Sequence, residues 1–269
     1  MKVLVTRPQD QADGLVDQLQ QLNFEITAIP MLATVQSVTA ASDDQLRSLA
    51  AGALRANYAV FISSNAVRYT AQHLAEQTLE WPKAVPCVAI GNATKHAVLA
   101  NGWPLHSRDI GEQRSSEKLL EMLLSIEPDA TAAVIVSGKG GRKTLQHGLE
   151  QAGIEVHSIE TYQRLRPDYP IDSLTAQLTQ FLHNERTQHS VGQAHDKNVV
   201  IFASGETLNN FAYYAAKTGL SELFELPCLV PSPRVASLAA NSGFSQVVVA
   251  EGASAEAFAH TLQSLAKSG

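Results

Sequence analysis

Short apolar runs alternate with helix-period patterns along almost the whole chain, and that alternation leaves few folds open. Strands are predicted over residues 3–6, 24–29, 58–62, 85–90, 132–136, 155–159, 199–203, 226–230 and 246–249. Helices are predicted over 9–22, 43–54, 64–75, 92–101, 115–125, 141–152 and 172–182, and after each of the last three strands, ending with 254–266. Leu15, Leu19 and Leu22 share one face of the first helix; Leu119, Leu120, Leu123 and Leu124 share one face of the helix that Ser115 is placed to cap. The strand runs are continuously apolar, as in Val3-Leu4-Val5, where a half-exposed strand would alternate. Strands of that kind sit in parallel sheets covered by helices on both faces.

At 269 residues the chain is comfortable as two domains, and 45% apolar content against 17% charged supplies two packed cores. A net charge of −6 argues against a general nucleic-acid binder. No apolar run reaches membrane-spanning length, and the opening Met1-Lys2-Val3-Leu4-Val5-Thr6-Arg7-Pro8 is a core strand, not a signal peptide. A cytoplasmic location is the default, and nothing requires an oligomer, so a monomer is expected. Cys87 and Cys228 lack zinc or redox spacing and read as small core residues. His183, His189 and His195 lie in one polar stretch, 183–198, without helical ligand spacing; a solvated loop is expected there and no metal site.

The second half echoes the first. Pro86-Cys87-Val88-Ala89-Ile90-Gly91 matches Pro227-Cys228-Leu229-Val230-Pro231-Ser232, and Val60-Phe61-Ile62-Ser63-Ser64 matches Val200-Ile201-Phe202-Ala203-Ser204. Val5-Thr6, Leu15, Leu19 and Ile26 match Val136-Ser137, Leu145, Leu149 and Val156. Two similar lobes facing each other across a cleft are expected. The two cysteines would then lie on equivalent strands of different lobes, too far apart for a disulfide.

In open parallel sheets ligands bind beyond the carboxyl ends of the strands. Thr6, Arg7, Ser63, Ser64, Asn65, Gly91, Thr94, Ser137, Gly138, Arg142, Ser204, Gly205 and Ser232 stand at those points. Glycine admits a ligand to the backbone, and helix N-termini offer N–H groups to anions. Each Ser or Thr reads equally as a helix N-cap. The loop 137–144 is the strongest phosphate-like signal, yet it fits neither a Walker A loop nor G-x-G-x-x-G, and a plain strand–helix turn explains it as well. Tyr162, in Ile159-Glu160-Thr161-Tyr162-Gln163-Arg164, stands between the two halves and, as a lone aromatic, reads as hinge packing.

Taken in order, several short motifs resemble the uroporphyrinogen-III synthase family over essentially the whole chain. They are Val3-Leu4-Val5-Thr6-Arg7-Pro8, Ile29-Pro30, Phe61-Ile62-Ser63-Ser64-Asn65-Ala66-Val67 and Ala89-Ile90-Gly91-Asn92-Ala93-Thr94. Gly140-Gly141-Arg142 with Leu149, Thr161-Tyr162, Phe202-Ala203-Ser204, and Ser232 with Arg234 complete the set. Pro231-Ser232-Pro233-Arg234 departs from the Gly and paired hydroxyls that relatives often carry, and Pro233 has no N–H to donate. The resemblance implies an α/β fold of two doubly wound parallel-sheet lobes joined by a two-stranded hinge, with the active site in the cleft. Residues 1–33 and 165–269 would build one lobe, 34–164 the inserted one, and connectors near 29–35 and 159–166 the hinge.

The implied reaction cyclises hydroxymethylbilane to uroporphyrinogen III, with inversion of the last ring (ring D) through a spiro intermediate and loss of water. It needs no cofactor and no metal; left free, the bilane closes without inversion, so the enzyme's task is mainly geometric. Tyr162, a phenol protonated at neutral pH, is expected to assist hydroxyl departure. The strand-end residues, Arg142 included, are expected to meet the substrate carboxylates, largely through backbone N–H groups. A transient contact with hydroxymethylbilane synthase, which makes the unstable bilane, is expected on those grounds alone. Two other classes stand beside this reading: a two-lobed polyanion-binding or sensor protein without turnover, and an enzyme using a sugar phosphate or nucleotide.

Overall fold

The computed structural model of the chain describes residues 1–107, 116–141, 143–183 and 198–267. Ser115, Arg142, His189 and His195 lie outside the described residues. In chain order the elements are β1 (Lys2–Val5), α1 (Gln9–Gln21), β2 (Glu25–Ala28), β3 (Ala33–Gln36), α2 (Ala40–Ala50), β4 (Tyr58–Phe61) and α3 (Ser64–Glu76). There follow β5 (Cys87–Ala89), α4 (Asn92–Ala100), α5 (Ser116–Ile126), β6 (Ala132–Gly138), α6 (Thr144–Gln151) and β7 (Glu155–Leu165). The chain closes with α7 (Ile171–Leu182), β8 (Val199–Ile201), α8 (Gly205–Thr218), β9 (Cys228–Val230), α9 (Pro233–Asn241), β10 (Val247–Val249) and α10 (Ala255–Lys267).

These elements form two compact units, Met1–Ala33 with Leu165–Gly269, and Thr34–Arg164. The first holds a five-stranded sheet in the order β10-β9-β8-β1-β2, the second a five-stranded sheet in the order β3-β7-β6-β4-β5. The central pairs β1–β8, β8–β9, β4–β6 and β6–β7 are parallel, as continuous apolar strands require. Successive residues of β1 point to opposite faces. Val3 and Val5 pack with Leu15, Leu19, Phe258 and Leu262, while Leu4 packs with Phe202, Phe211 and Phe244. In the second unit Tyr58 and Val60 meet Leu119, Leu123 and Leu149; Ala59 and Phe61 meet Trp81, Val98 and Tyr162. Each large apolar side chain so buried contributes about 1.5–3 kcal/mol, so both faces of each sheet are needed for the fold.

Four strands of each sheet repeat those of the other, β2-β1-β8-β9 and β7-β6-β4-β5, with a one-residue difference from the match drawn on the sequence. Ala59 N–H donates to Pro86 O at 2.9 Å, and Val200 N–H donates to Pro227 O at 3.0 Å. Ala59 is therefore the counterpart of Val200, and Ser63 the counterpart of Ser204, whereas the sequence match pairs Val60 with Val200. Likewise Val3 pairs with Ile26 and Ala133 with Val156, which makes Val5 the counterpart of Ile135 and not of Val136. The matches of Leu15 with Leu145 and of Leu19 with Leu149 agree with this register.

Several elements differ from their predicted extents, three of them by three residues or more at one end. β7 runs on to Leu165, through the stretch expected to be a connector, and β3 lies beside it as the sheet's edge strand. α2 begins at Ala40, because the Thr39 hydroxyl accepts the Ser42 N–H and caps it there. α6 begins at Thr144, three residues after the predicted start, because the chain first turns through Gly138–Gly141.

Candidate active site

The strand ends of each unit deliver hydroxyls to helix starts. Ser63 caps α3, Ser204 caps α8 and Ser232 caps α9; each side chain accepts an N–H three residues on. Ser204 and Thr207 form a reciprocal capping box. Pro233 stands in the first turn of α9, where a helix does not need its N–H, so its missing donor costs nothing there. Gly91 is the counterpart of Ser232 at α4 and adopts φ +81°, a conformation that favours glycine. Thr94 is buried in the first turn of α4, and Asn65 is buried in that of α3 beside the half-buried Ser64. Gly205 makes room for α9: a methyl group there would lie 2.9 Å from Leu238 Cδ1.

Thr6 and Arg7, at the end of β1, turn inward. Thr6 is 0% exposed and its hydroxyl donates to Ile201 O at 2.7 Å, tying β1 to β8. Arg7 donates to Ala253 O, and its guanidinium carbon lies 5.3 Å from the Phe258 ring centroid. Burial lowers its pKa from the ordinary arginine value, with the Glu256 carboxylate opposing that shift. Its Nε is buried with no hydrogen-bond partner among the described residues.

The second unit holds a denser constellation. β6 and β7 pair in register up to Ser137 and Glu160; the register then shifts so that Gly138 faces Tyr162. The extra residue, Thr161, is fully buried near Ala66 O, and this bulge re-aims the next side chain. Tyr162, 8% exposed, sits against Gly138: a methyl group at that glycine would lie 2.7 Å from Tyr162 Cζ. The ring stacks on Tyr69, with centroids 5.6 Å apart and planes 19° from parallel. Tyr69 is itself anchored, since its hydroxyl donates to Thr34 O at 2.6 Å. The Tyr162 hydroxyl lies 3.0 Å from Ser63 Oγ. Tyr162 of β7, Ser63 after β4 and Gly138 at the end of β6 thus come together; Ser137 lies next to Gly138 with its hydroxyl toward Gly141, and Ser64, Asn65, Gly91 and Thr94 stand at helix starts around α3 and α4.

Tyr69 and Thr34 are absent from the sequence-derived set. Tyr69 does fall on the buried face of α3 with Ala66, Thr70 and His73, so its burial is legible in the sequence; its contact with Tyr162 is not.

The loop after β6 differs from a phosphate cradle. Lys139 N–H donates to Tyr162 O at 2.7 Å, and Gly141 N–H to Gly138 O at 3.1 Å. Gly140 N–H donates to the Glu160 carboxylate at 3.0 Å. Three successive amides are therefore paired within the unit, one of them to an anion already in place.

Cys87 and Cys228 are buried in the cores of different sheets, and burial pushes both thiols up to about 12. A buried thiol with so high a pKa stays protonated at neutral pH and is a poor nucleophile.

The sequence model of the family described as Uroporphyrinogen-III synthase HemD matches residues 13–260. The uroporphyrinogen-III synthase of Escherichia coli strain K12 is 27% identical over 270 residues, spanning 98% of this chain and 100% of that protein. Among solved structures, the uroporphyrinogen-III synthetase of Helicobacter pylori 26695 aligns with a TM-score of 0.61 at 14% identity, over 98% of this chain and 99% of that one. A mutant uroporphyrinogen III synthase of Thermus thermophilus aligns with a TM-score of 0.57 at 16% identity, over 99% of each chain. At such identities the two structures speak for the α/β fold alone.

Proposed function

This chain belongs to the uroporphyrinogen-III synthase family, and from that premise we infer that it cyclises hydroxymethylbilane to uroporphyrinogen III, inverting the last ring with loss of water. The observation that carries the reading is the family match across residues 13–260, which takes in most of both units and every strand end but that of β1. Neither a sensor of polyanions nor an enzyme using a sugar phosphate or nucleotide is favoured beside it. The paired amides after β6 count further against a phosphate site there.

The chemistry is a dehydration with carbon–carbon bond formation, and its electrons balance within the substrate. The C–O bond of the hydroxymethyl group breaks, with the pair going to oxygen and the pyrrole supplying the electrons that replace it. The last ring attacks through its substituted carbon, rearranges through a spiro intermediate, and returns a proton to solvent. The protein's part is to favour departure of hydroxide and to hold the chain ends for that attack. In this reading the Tyr162 phenol donates to the departing oxygen. The helix starts after β4, β5, β8 and β9 offer N–H groups to the acetates and propionates. Side chains that already cap helices, as at Ser204 and Ser232, add little to that binding. The reaction belongs in the cytoplasm, close to hydroxymethylbilane synthase, since the free bilane closes without inversion; among the described residues no helix is long and apolar enough to cross a membrane.

The test is to supply freshly generated hydroxymethylbilane and resolve the uroporphyrin isomers after oxidation. Isomer III is expected with the protein present. Isomer I alone, as in the protein-free control, would refute the assignment.

A further inference from the structure

Ser63 is expected from the sequence to meet a substrate carboxylate, and its surroundings assign it differently. Its Oγ accepts the Ala66 N–H at 3.2 Å and lies 3.0 Å from the Tyr162 hydroxyl. A hydroxyl has one proton and two lone pairs. The helix cap engages one lone pair and leaves the proton, beside a second lone pair, so Ser63 is able to donate to the phenol oxygen. With the bond in that sense, the Tyr162 proton points away from Ser63 and stays available to a ligand. In the opposite sense the phenol proton would be held inside the protein.

We infer that Ser63 is a positioning residue for the reaction: it donates to the Tyr162 oxygen and thereby directs the phenol proton at the departing hydroxyl of the substrate. The inference rests on the reading of Tyr162 given above. Three further features of the same constellation agree with it. With Ser63 as the donor, the run from Ala66 N–H through Ser63 to Tyr162 has one sense, so each bond polarises the next. It begins at the N-terminus of α3, a helix of 13 residues, whose positive end stabilises the negative charge that builds on the phenol oxygen as its proton leaves. Tyr69 and the bare backbone of Gly138 hold the ring, so its hydroxyl has a defined place to receive the bond.

The experiment compares Ser63→Gly, Ser63→Thr, Tyr162→Phe and the double variant Ser63→Gly/Tyr162→Phe on freshly generated hydroxymethylbilane, scoring isomer III. Glycine caps a helix nearly as well as serine, so Ser63→Gly removes the hydroxyl with the fold kept, which a thermal melt verifies. The expected result is a kcat about tenfold lower in Ser63→Gly, with KM little changed. Ser63→Thr restores most of that loss, and the double variant is no slower than Tyr162→Phe. A raised KM with kcat retained in Ser63→Gly makes Ser63 a carboxylate ligand and overturns the inference. So do losses that multiply in the double variant. A slow Tyr162→Phe beside an unaffected Ser63→Gly overturns the inference alone; a Tyr162→Phe enzyme with undiminished kcat overturns the reading of Tyr162 and this inference with it.

Discussion

At Gly138 the backbone is approached closely by a side chain of the same unit. Its place at a strand end suggests close approach of an anion; what approaches it is the Tyr162 ring. Gly138→Ala puts a methyl group 2.7 Å from Tyr162 Cζ, inside any real contact, so the ring must move away from Ser63. Overpacking of this kind costs about 1–3 kcal/mol. The expected variant is modestly destabilised in urea yet loses isomer III formation by about tenfold or more; a variant with full kcat would show that the ring position does not matter. Thr6 makes the opposite case. Its hydroxyl is buried and engaged with Ile201 O, so Thr6→Val should act on stability, at about 1–3 kcal/mol by urea unfolding. Its kcat and KM at a temperature where it stays folded should match the parent. A raised KM would instead show that Thr6 meets the substrate.

At the scale of elements, the edge strand β3 has little apolar surface to hold it, and a polar network does so. Gln36 donates to Glu76 at 2.8 Å and lies 3.4 Å from His73 Nδ1; His73 Nε2 lies 2.6 Å from the Asp43 carboxylate, which Arg47 also engages at 2.8 Å. The network ties β3 to α2 and α3. Hydrogen bonds from Arg47, and after it His73, hold the Asp43 carboxyl below its ordinary pKa. A carboxyl with a lowered folded pKa contributes stability that is present above its unfolded value, near 4, and lost as pH falls through the folded one. Asp43→Asn is therefore expected to be less stable than the parent at pH 7, with the gap closing below about pH 4. Urea unfolding across that range measures it, and a gap independent of pH would exclude the charge as the cause. Little of this is visible in the sequence, because β3 falls in a stretch that reads as connector and its partners lie on two separate helices.

For the whole molecule, the unequal wiring of the two units has consequences for folding. The second unit is one continuous stretch with its own sheet and two cores, one on each face. The first needs its N-terminal segment, because β1 lies between β8 and β2 and α1 covers one face with Leu15 and Leu19. A fragment of residues 33–165 is expected to fold alone, with a cooperative urea transition and far-UV circular dichroism of an α/β protein. A fragment of 165–269 is expected not to, until residues 1–33 are supplied. Cooperative folding of 165–269 by itself would show that β1 is dispensable to that core.

What the sequence determined by itself is the alternation of strand and helix, the places where strands end in a cap or a glycine, and the resemblance that runs through those places. These are local patterns, set by backbone period, by side chains that cap helices, and by glycine where φ must be positive. Only the tertiary structure decided which residue faces which. Strands buried on both faces are apolar at every position, so a slip of one residue leaves the pattern nearly unchanged, and the match of Val60 with Val200 looks sound until hydrogen bonding moves it by one. The bulge at Thr161 that brings Tyr162 over Gly138, and the meeting of Tyr162 with Ser63 and Tyr69, depend on that pairing between distant strands. Nothing in the neighbourhood of any one of these residues records it.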